Sequence, residues 1–340
     1  MTGPLSAGGC RRPPRRGPAR AAALLLGIAG LLAGAFVALY PSVPLAVFAG
    51  TQPDSGYSSS KDAHERTAAE QGSPYTTSAA VALERPDALR LHFRQAPRAG
   101  IVFDLDSGRV LWRHRPEARL PIASLTKIMT ALLVADGTTS RETVKITPAA
   151  LNYAGRGVGL PKGRRVPIEG LLHGLLLVSG NDAAKALAIH VGGSERRFVR
   201  MMNDRARALG LRCTHFTSPH GLESGNRSCA ADLAAMARLA MNERRIARVV
   251  RKPDAAVRFP IKGGRLFVYS TNPLLRPARW RGTIGLKTGF TNPAGRCYVG
   301  VVRRGGRRLG VVLLHSPDPG RQAKKLLQAG FRRTGRSAAG

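Results

Sequence analysis

The spacing of apolar positions changes twice along the chain. Gly100-Ile101-Val102-Phe103-Asp104 and Val110-Leu111-Trp112 are short apolar runs flanking Asp106-Ser107-Gly108, and they predict a β-hairpin that turns at the polar residues. From Ser124 the spacing becomes helical: Ile128, Met129, Leu132 and Leu133 share a face, and Gly137 is the stop signal. Residues 168–250 stay mostly helical, with apolar runs at Leu171–Val178, Ala183–Ile189, Phe198–Leu209 and Ala230–Met241. Strand signals return at Thr283–Lys287, Cys297–Val302 and Leu309–Leu314, with Gly305-Gly306 turning the last two into a hairpin. A closing helix is predicted from Arg321 to Phe331. Strands at both ends and helices between them predict an α+β domain whose sheet is completed by distant segments.

Ahead of that domain the pattern differs. Arg11, Arg12, Arg15, Arg16 and Arg20 form a basic run, and Ala21 to Tyr40 is uncharged and rich in Ala, Leu and Gly. Twenty residues at a rise of about 1.5 Å span about 30 Å, the hydrocarbon thickness of a bilayer. The stretch has no polar stripe, unlike a soluble core helix. Arginines on its N-terminal side hold that end in the cytoplasm and predict that everything after Tyr40 is exported. Val47-Phe48-Ala49 offers the small residue of a cleavage site, so a signal peptide and an uncleaved anchor both remain open. Thr51 to Pro86 reads as a linker, with Ser58-Ser59-Ser60 and scattered Gly and Pro. The reading divides the chain into a basic tail (1–20), a transmembrane anchor or signal peptide (21–49), a linker (50–86), the folded domain (87–335) and a tail (336–340).

Composition sharpens this only in part. The chain has 340 residues, 43% of them hydrophobic, which excludes a disordered polycation. Its 54 Lys+Arg against 20 Asp+Glu give a net charge of +34, which first suggests nucleic acid, a membrane surface or another polyanion. An arginine-heavy, Ala/Gly-rich balance equally reflects genomic base composition. Export removes nucleic acid as a partner and leaves the membrane surface and anionic cell-wall polymers. The linker is slightly acidic, so the positive charge belongs to the folded domain.

Three short motifs carry candidate chemistry. In Ser124-Leu125-Thr126-Lys127, positions i and i+3 share a helix face, so the hydroxyl and amine meet. A serine hydroxyl needs a base to become a nucleophile. A lysine serves as that base only if burial and nearby cations depress its pKa, and Ile122, Ile128 and Met129 offer apolar surroundings. Ser58-Ser59-Ser60-Lys61 matches the same pattern but lies in the linker, with nothing to fix its geometry. Ser179-Gly180-Asn181 follows an apolar helix and places a hydroxyl and an amide on a turn, to relay a proton and hold a substrate amide. Ser224-Gly225-Asn226 and Ser270-Thr271-Asn272 match that weak pattern too. Lys287-Thr288-Gly289, on a predicted strand, offers a charge for a carboxylate, a hydroxyl, and a glycine where a ligand must approach the backbone.

The conjunction of the three, in this order, resembles the penicillin-binding proteins and serine β-lactamases. The likeness is greatest to the low-molecular-mass D-alanyl-D-alanine carboxypeptidases of peptidase family S11. It rests on residues 121–134, 175–188, 217–222 and 285–299 and covers about residues 95–333. The resemblance implies a β-lactamase/transpeptidase-like fold: an antiparallel sheet flanked by helices, with a mainly helical subdomain carrying the second motif. It implies that Ser124 attacks the penultimate D-alanine carbonyl of a peptidoglycan stem peptide, with Lys127 as base. The oxyanion would sit between the N–H groups of Ser124 and Phe290. Ser179 and Lys287 would pass the proton to the departing D-alanine. Asn181 would hold the peptide amide, and Lys287, Thr288 and the close approach at Gly289 the terminal carboxylate. Arg321 matches a family arginine near that carboxylate. β-Lactam antibiotics would acylate Ser124 and leave slowly. No cofactor is implied. Many relatives carry a second, β-rich domain and a C-terminal amphipathic anchor; neither can be read here, which puts membrane attachment on residues 21–40.

The remaining polar residues add little. The histidines and cysteines show no His-x-x-x-His or Cys-x-x-Cys spacing, so no metal site is expected. Cys213 and Cys229, sixteen residues apart, are free to form a disulfide once exported, and the bridged and reduced states both stay open. Cys297 reads as a buried thiol. Rival functions are a β-lactamase, which would need a carboxylate beside the acyl bond (Glu169 and Glu195 flank the second motif, but neither sits in a recognisable loop of that kind), a DD-endopeptidase or transpeptidase using the same acyl-enzyme, and an inactive basic wall-binding protein.

Overall fold

The computed structural model describes residues 79–277 and 279–336. The predicted membrane segment at 21–49, Ser58–Lys61 and Cys10 lie outside the described residues. Its centre is a five-stranded antiparallel sheet. The strands are β1 (Ala99–Asp104), β2 (Val110–His114), β7 (Thr283–Thr291), β8 (Gly295–Arg304) and β9 (Arg307–Leu314), in the order β2-β1-β9-β8-β7. The first and last parts of the chain pair through β1 and β9, with Val102 opposite Val311. The sheet is therefore completed by distant segments, as the strand signals predict.

Both faces of this sheet are covered, which explains why its strands read as continuous apolar runs instead of alternating ones. Val102, Val311, Leu313, Tyr298 and Val302 pack on one side against Leu326 and Leu327 of the closing helix. Ile101, Phe103, Val299, Val301 and Val312 face the helical side. The closing helix, α7, runs Pro319–Arg336, longer at both ends than its predicted core.

The helical side is built from α1 (Lys127–Gly137), α2 (Ile168–His173), α3 (Asn181–Gly192), α4 (Glu195–Ala208), α5 (Ala230–Asn242) and α6 (Arg244–Val250). Helix α1 is buried from Lys127 to Val134 and forms the centre of this side. Three features depart from the sequence reading. The helix expected from Ser124 opens as a tight 3-10 turn, Ala123–Thr126, before α1 begins. Between α4 and α5 the chain is mainly loop, with Arg227–Ser228 in strand, and not helix. Three short ribbons also went unpredicted: Leu120–Pro121 with Arg227–Ser228, β3 (Thr143–Lys145) with β4 (Arg165–Pro167), and β5 (Asp254–Arg258) with β6 (Arg265–Tyr269). The strands of the last two carry charges within the run, as in Arg265-Leu266-Phe267, and two-stranded ribbons with one wet face give only weak periodicity.

The packed body also starts before Asp87. Ala79 is buried and Ala82 bridges to Arg109. Buried Arg238 holds this segment, donating Nε to the Leu105 carbonyl at 2.9 Å and Nη2 to that of Asp106 at 2.9 Å, with Nη1 on the Ala80 carbonyl. A buried guanidinium is tolerated because each of its faces meets a carbonyl oxygen.

Candidate active site

The turn that carries Ser124 is clamped from two sides. Ala123, just before it, has a left-handed φ of 49°. Gly289 of β7 lies so close that a Cβ there would be 3.0 Å from the Ile122 carbonyl and 3.1 Å from the Ser124 nitrogen. On the other side Gly221, at φ 85°, would place a Cβ 2.1 Å from the Ala123 carbonyl. The glycine of the third motif is thus needed by the nucleophile's own turn; the sequence reading had reserved that space for ligand. Held against a sheet strand and a loop, Ser124 has little freedom to move, as a positioned nucleophile requires.

Lys127 is fully buried, and its Nζ has three neighbours: Ser124 Oγ at 3.0 Å, Asn181 Oδ1 at 2.8 Å and the His220 carbonyl at 2.7 Å. Burial, followed by the charge of Lys287, pushes its pKa well below the usual lysine range; Glu223 and Asp182 oppose this more weakly. The arrangement suits the neutral amine. Such an amine has two N–H bonds and one lone pair. Asn181 Oδ1 and the His220 carbonyl accept the two N–H bonds, which leaves the lone pair for the Ser124 hydroxyl proton.

The loop behind Lys127 is itself fixed by side chains. Thr130 Oγ1 donates to the Pro219 carbonyl at 2.7 Å. Asn226 accepts from the Thr217 and Ser218 backbone N–H groups through Oδ1, at 3.1 and 3.2 Å, and donates to the Glu223 carbonyl at 3.1 Å. Asn226 belongs to one of the two decoy Ser-x-Asn matches, and its role is to shape the loop that presents the His220 carbonyl. Buried His220 faces Ser218 Oγ at 3.4 Å, with Glu195 and Glu223 within 4 Å. Burial lowers its pKa despite these carboxylates.

Ser179 ends an apolar turn, Gly174–Val178, and adopts a left-handed φ of 69°. That bend turns its Oγ toward Lys287 Nζ, 2.9 Å away, which also reaches the Thr288 carbonyl at 2.8 Å. Lys287 is buried, and burial followed by the charge of Arg156 lowers its pKa to about 7. Two residues on, Asn181 receives Lys127 on Oδ1 and donates Nδ2 to the Ala154 carbonyl at 2.7 Å. Its first role is therefore to orient Lys127, and one hydrogen-bonding position remains on each amide atom for a ligand. Asp182 behind it accepts the N–H groups of Val158 and Gly159 at 2.9 and 3.0 Å, which fixes the segment bearing Arg156 over the cleft.

Ser124, Ser179, Asn181, Thr288, Gly289 and Phe290 line one cleft of about 490 Å³. Phe290 is 63% exposed, an apolar side chain at the mouth. Arg321 does not join them. The start of α7 reaches the cleft through Pro319, but the Arg321 side chain is 88% exposed and pairs with Asp318 at 3.3 Å. Arg156 and Arg296 are the guanidinium groups that line the cleft. Thr271 lines it too, its Oγ1 2.6 Å from that of Thr288. Thr271 comes from the second decoy match, and nothing in the sequence set it apart. Its neighbour Asn272 is buried and ties β7 to β8, donating to the Gly285 carbonyl at 2.9 Å and accepting from Tyr298 Oη at 2.7 Å. Cys297 is a buried thiol, its pKa pushed up to about 11 by burial.

Among the described residues no carboxylate lines this cleft. Glu169 binds Arg245 at 2.8 Å and Glu195 binds Lys185 at 2.9 Å, so the two acids weighed as water activators are engaged elsewhere. Cys213 and Cys229 are joined in a disulfide, and Asp232 accepts the Cys213 N–H at 2.8 Å and Thr214 Oγ1 at 2.7 Å beside it.

Comparisons with known proteins agree with this geometry. Residues 91–318 match the peptidase S11 family model, described as D-alanyl-D-alanine carboxypeptidase. The chain is 38% identical over 240 residues to the D-alanyl-D-alanine carboxypeptidase DacB2 of Mycobacterium tuberculosis, covering 68% of this chain and 81% of that one. The crystal structure of a Mycobacterium tuberculosis D-alanyl-D-alanine carboxypeptidase superposes with a TM-score of 0.67 at 36% identity, covering 73% of this chain and 96% of that one. A variant of a Streptomyces DD-transpeptidase superposes with a TM-score of 0.66 at 31% identity, covering 71% of this chain and 100% of that one.

Proposed function

The chain belongs to the D-alanyl-D-alanine carboxypeptidase family of S11 peptidases, and we propose that it removes the terminal D-alanine from peptidoglycan stem peptides through an acyl-enzyme on Ser124. The observation that carries this is the Ser124–Lys127 pair: a hydroxyl 3.0 Å from a buried amine whose two N–H bonds already have acceptors. Lys127 takes the Ser124 proton as Oγ attacks the penultimate carbonyl. The N–H groups of Ser124 and Phe290 receive the developing oxyanion. The proton then reaches the departing amine through Ser179, which Lys287 contacts at 2.9 Å. Thr288 and Thr271, with Arg296 beside them, hold the terminal carboxylate; Arg296 takes the part that the sequence reading gave to Arg321.

Water then hydrolyses the ester. A cleft without a carboxylate has no strong base to hurry that step, so a β-lactam acyl-enzyme should persist. This favours a penicillin-binding peptidase over a β-lactamase. The likeness to a Streptomyces DD-transpeptidase marks the acceptor, water or an amine, as the finer distinction.

The domain acts outside the cytoplasm in this reading. Support comes from the basic run before the uncharged stretch at 21–40, and from the Cys213–Cys229 bridge, which suits an oxidising compartment. Residues 21–40 hold the protein at the membrane, or export it to the wall if cleavage follows Ala49. Among the described residues no helix is long and apolar enough to cross a membrane. Anionic wall polymers are the partner that suits the charge.

The test is D-alanine release from a peptide ending in D-Ala-D-Ala, together with the mass of the penicillin adduct. Release and a stable adduct on the wild type, both lost in Ser124→Ala, are expected. Release that survives Ser124→Ala rejects the mechanism, and rapid penicillin turnover promotes the β-lactamase reading.

A further inference from the structure

The β3–β4 ribbon and the tip of the β5–β6 hairpin enclose a second, open groove of about 1000 Å³ that shares no residue with the active-site cleft. The tip, Phe259 to Gly264, turns sharply: Gly263 and Gly264 have φ values of 84° and 68°, which residues with a Cβ avoid. Five cations line the groove: Arg141, Arg164, Arg165, Arg258 and Lys262. All five are exposed. Arg165 is fixed across the ribbon, donating Nη1 to Thr143 Oγ1 at 3.2 Å and its carbonyl at 3.3 Å. Among the described residues Arg141, Arg164, Arg258 and Lys262 have no acidic partner.

One carboxylate, Glu142, lines the groove and does not balance this charge. Its Oε1 accepts the Thr139 N–H at 2.6 Å and its Oε2 meets His190 Nε2 at 3.1 Å. These bonds lower its pKa, so it stays ionised while committed to its own neighbours. Pro260 and Ile261 add apolar atoms to the lining, with Ile261 36% exposed and Phe259 buried. Cations around a concave surface focus potential more strongly than the same number spread over a convex one. Guanidinium groups also bind phosphate oxygens in pairs.

We infer that this groove binds a linear polymer carrying a phosphate on each repeat, with the arginines on successive phosphates and the intervening carbons against Ile261. A groove admits a strand to its floor, whereas a flat lipid surface reaches only its rim, so the polymer is favoured over anionic lipid. The inference rests on the proposed extracytoplasmic location only for the source of such a polymer.

The test uses the full chain in neutral detergent with linear inorganic polyphosphate as probe, followed by fluorescence anisotropy. The variant Arg164→Gln/Arg258→Gln/Lys262→Gln is compared with Arg196→Gln/Arg197→Gln/Arg200→Gln, which removes the same charge from the exposed face of α4. Thermal melting checks that both triples fold, and Lys262→Glu serves as a single-site version. The groove triple should weaken binding at least about tenfold and flatten its salt dependence, because fewer counterions are released on binding. The α4 triple should weaken it less than about twofold. Equal losses in the two triples, or no polyphosphate binding by the wild type, overturn the inference. So does a groove-dependent preference for phosphatidylglycerol vesicles over polyphosphate. D-alanine release by the wild type is measured in parallel, so failure of the groove reads separately from failure of the peptidase assignment.

Discussion

The cleft and the basic groove hold the same kinds of cation on opposite sides of a solvation boundary. Lys127 and Lys287 are at most 1% exposed, while Arg141, Arg164, Arg258 and Lys262 stand in water. The groove cations face solvent around a concave surface, so their use is attraction. In the cleft, burial disfavours the ammonium form and makes a lysine a base. Identical side chains thus divide into chemistry and steering by burial, and the net charge of +34 says little about which is which.

The largest expected effect exploits this division. Lys127→Arg puts a fixed cation where a neutral amine acts and cannot supply a lone pair, since a guanidinium stays protonated in proteins. D-alanine release and penicillin acylation should fall by about 10²–10⁴-fold, the usual worth of general acid–base catalysis. In the groove the same replacement, Lys262→Arg, preserves the cation and should change polyphosphate affinity less than about twofold. A Lys127→Arg enzyme that retains more than a tenth of its acylation rate breaks the comparison, because Lys127 would then act through charge alone.

Stability should separate the regions next. The pKa of Lys287 is lowered to about 7 in the folded state, against about 10.4 for an unfolded lysine. Between those values the unfolded chain binds the extra proton, so stability rises with pH across that window, and the penalty is fully present below about 7. Lys287→Met removes it. The variant should be inactive yet more stable at pH 6 by on the order of a few kcal/mol, an advantage that shrinks as pH approaches 10. Lys262→Met, in water, should shift stability by less than about 0.5 kcal/mol at any pH. Denaturant melts at pH 6, 8 and 10 decide this; a Lys287→Met protein less stable than wild type at pH 6 contradicts it.

The cleft was more legible in the sequence than the groove for a physical reason. Ser124 with Lys127, Ser179 with Asn181 and Lys287 with Thr288 are short-range pairs that leave a local signature, and the structure brings all six together. Thr271 and Arg296 reach the cleft from elements whose residues look ordinary. The two Ser-x-Asn decoys prove structural: Asn226 shapes the loop behind Lys127, and Asn272 ties β7 to β8. Gly289 lines the cleft, and a Cβ there would also meet a turn some 165 residues earlier in the chain, a contact that local sequence does not show. Arg321 was placed by family likeness alone, and its side chain turns to solvent. The sheet was legible because both of its faces are buried and its strands read as apolar runs. The two outer ribbons were not, because one wet face dilutes the pattern, and the groove lies between them.

The smallest effect tests how an exposed cation tunes the buried one. Arg156 lines the cleft and is the second cause, after burial, of the low Lys287 pKa. In free enzyme, activity needs Lys287 charged, so kcat/KM should fall near pH 7 as Lys287 loses its proton. A bound substrate carboxylate favours the ammonium form, so the alkaline limb of kcat should lie above that of kcat/KM. Arg156→Gln removes a like charge and should move the alkaline limb of kcat/KM upward by less than about one pH unit, a contribution under about 1.4 kcal/mol. The direction matters more than the size. A limb that moves down, or that sits near pH 10 in the wild type, means that burial has not made Lys287 a titrating group near neutrality. The cleft lysine would then serve by charge alone, as the groove cations do.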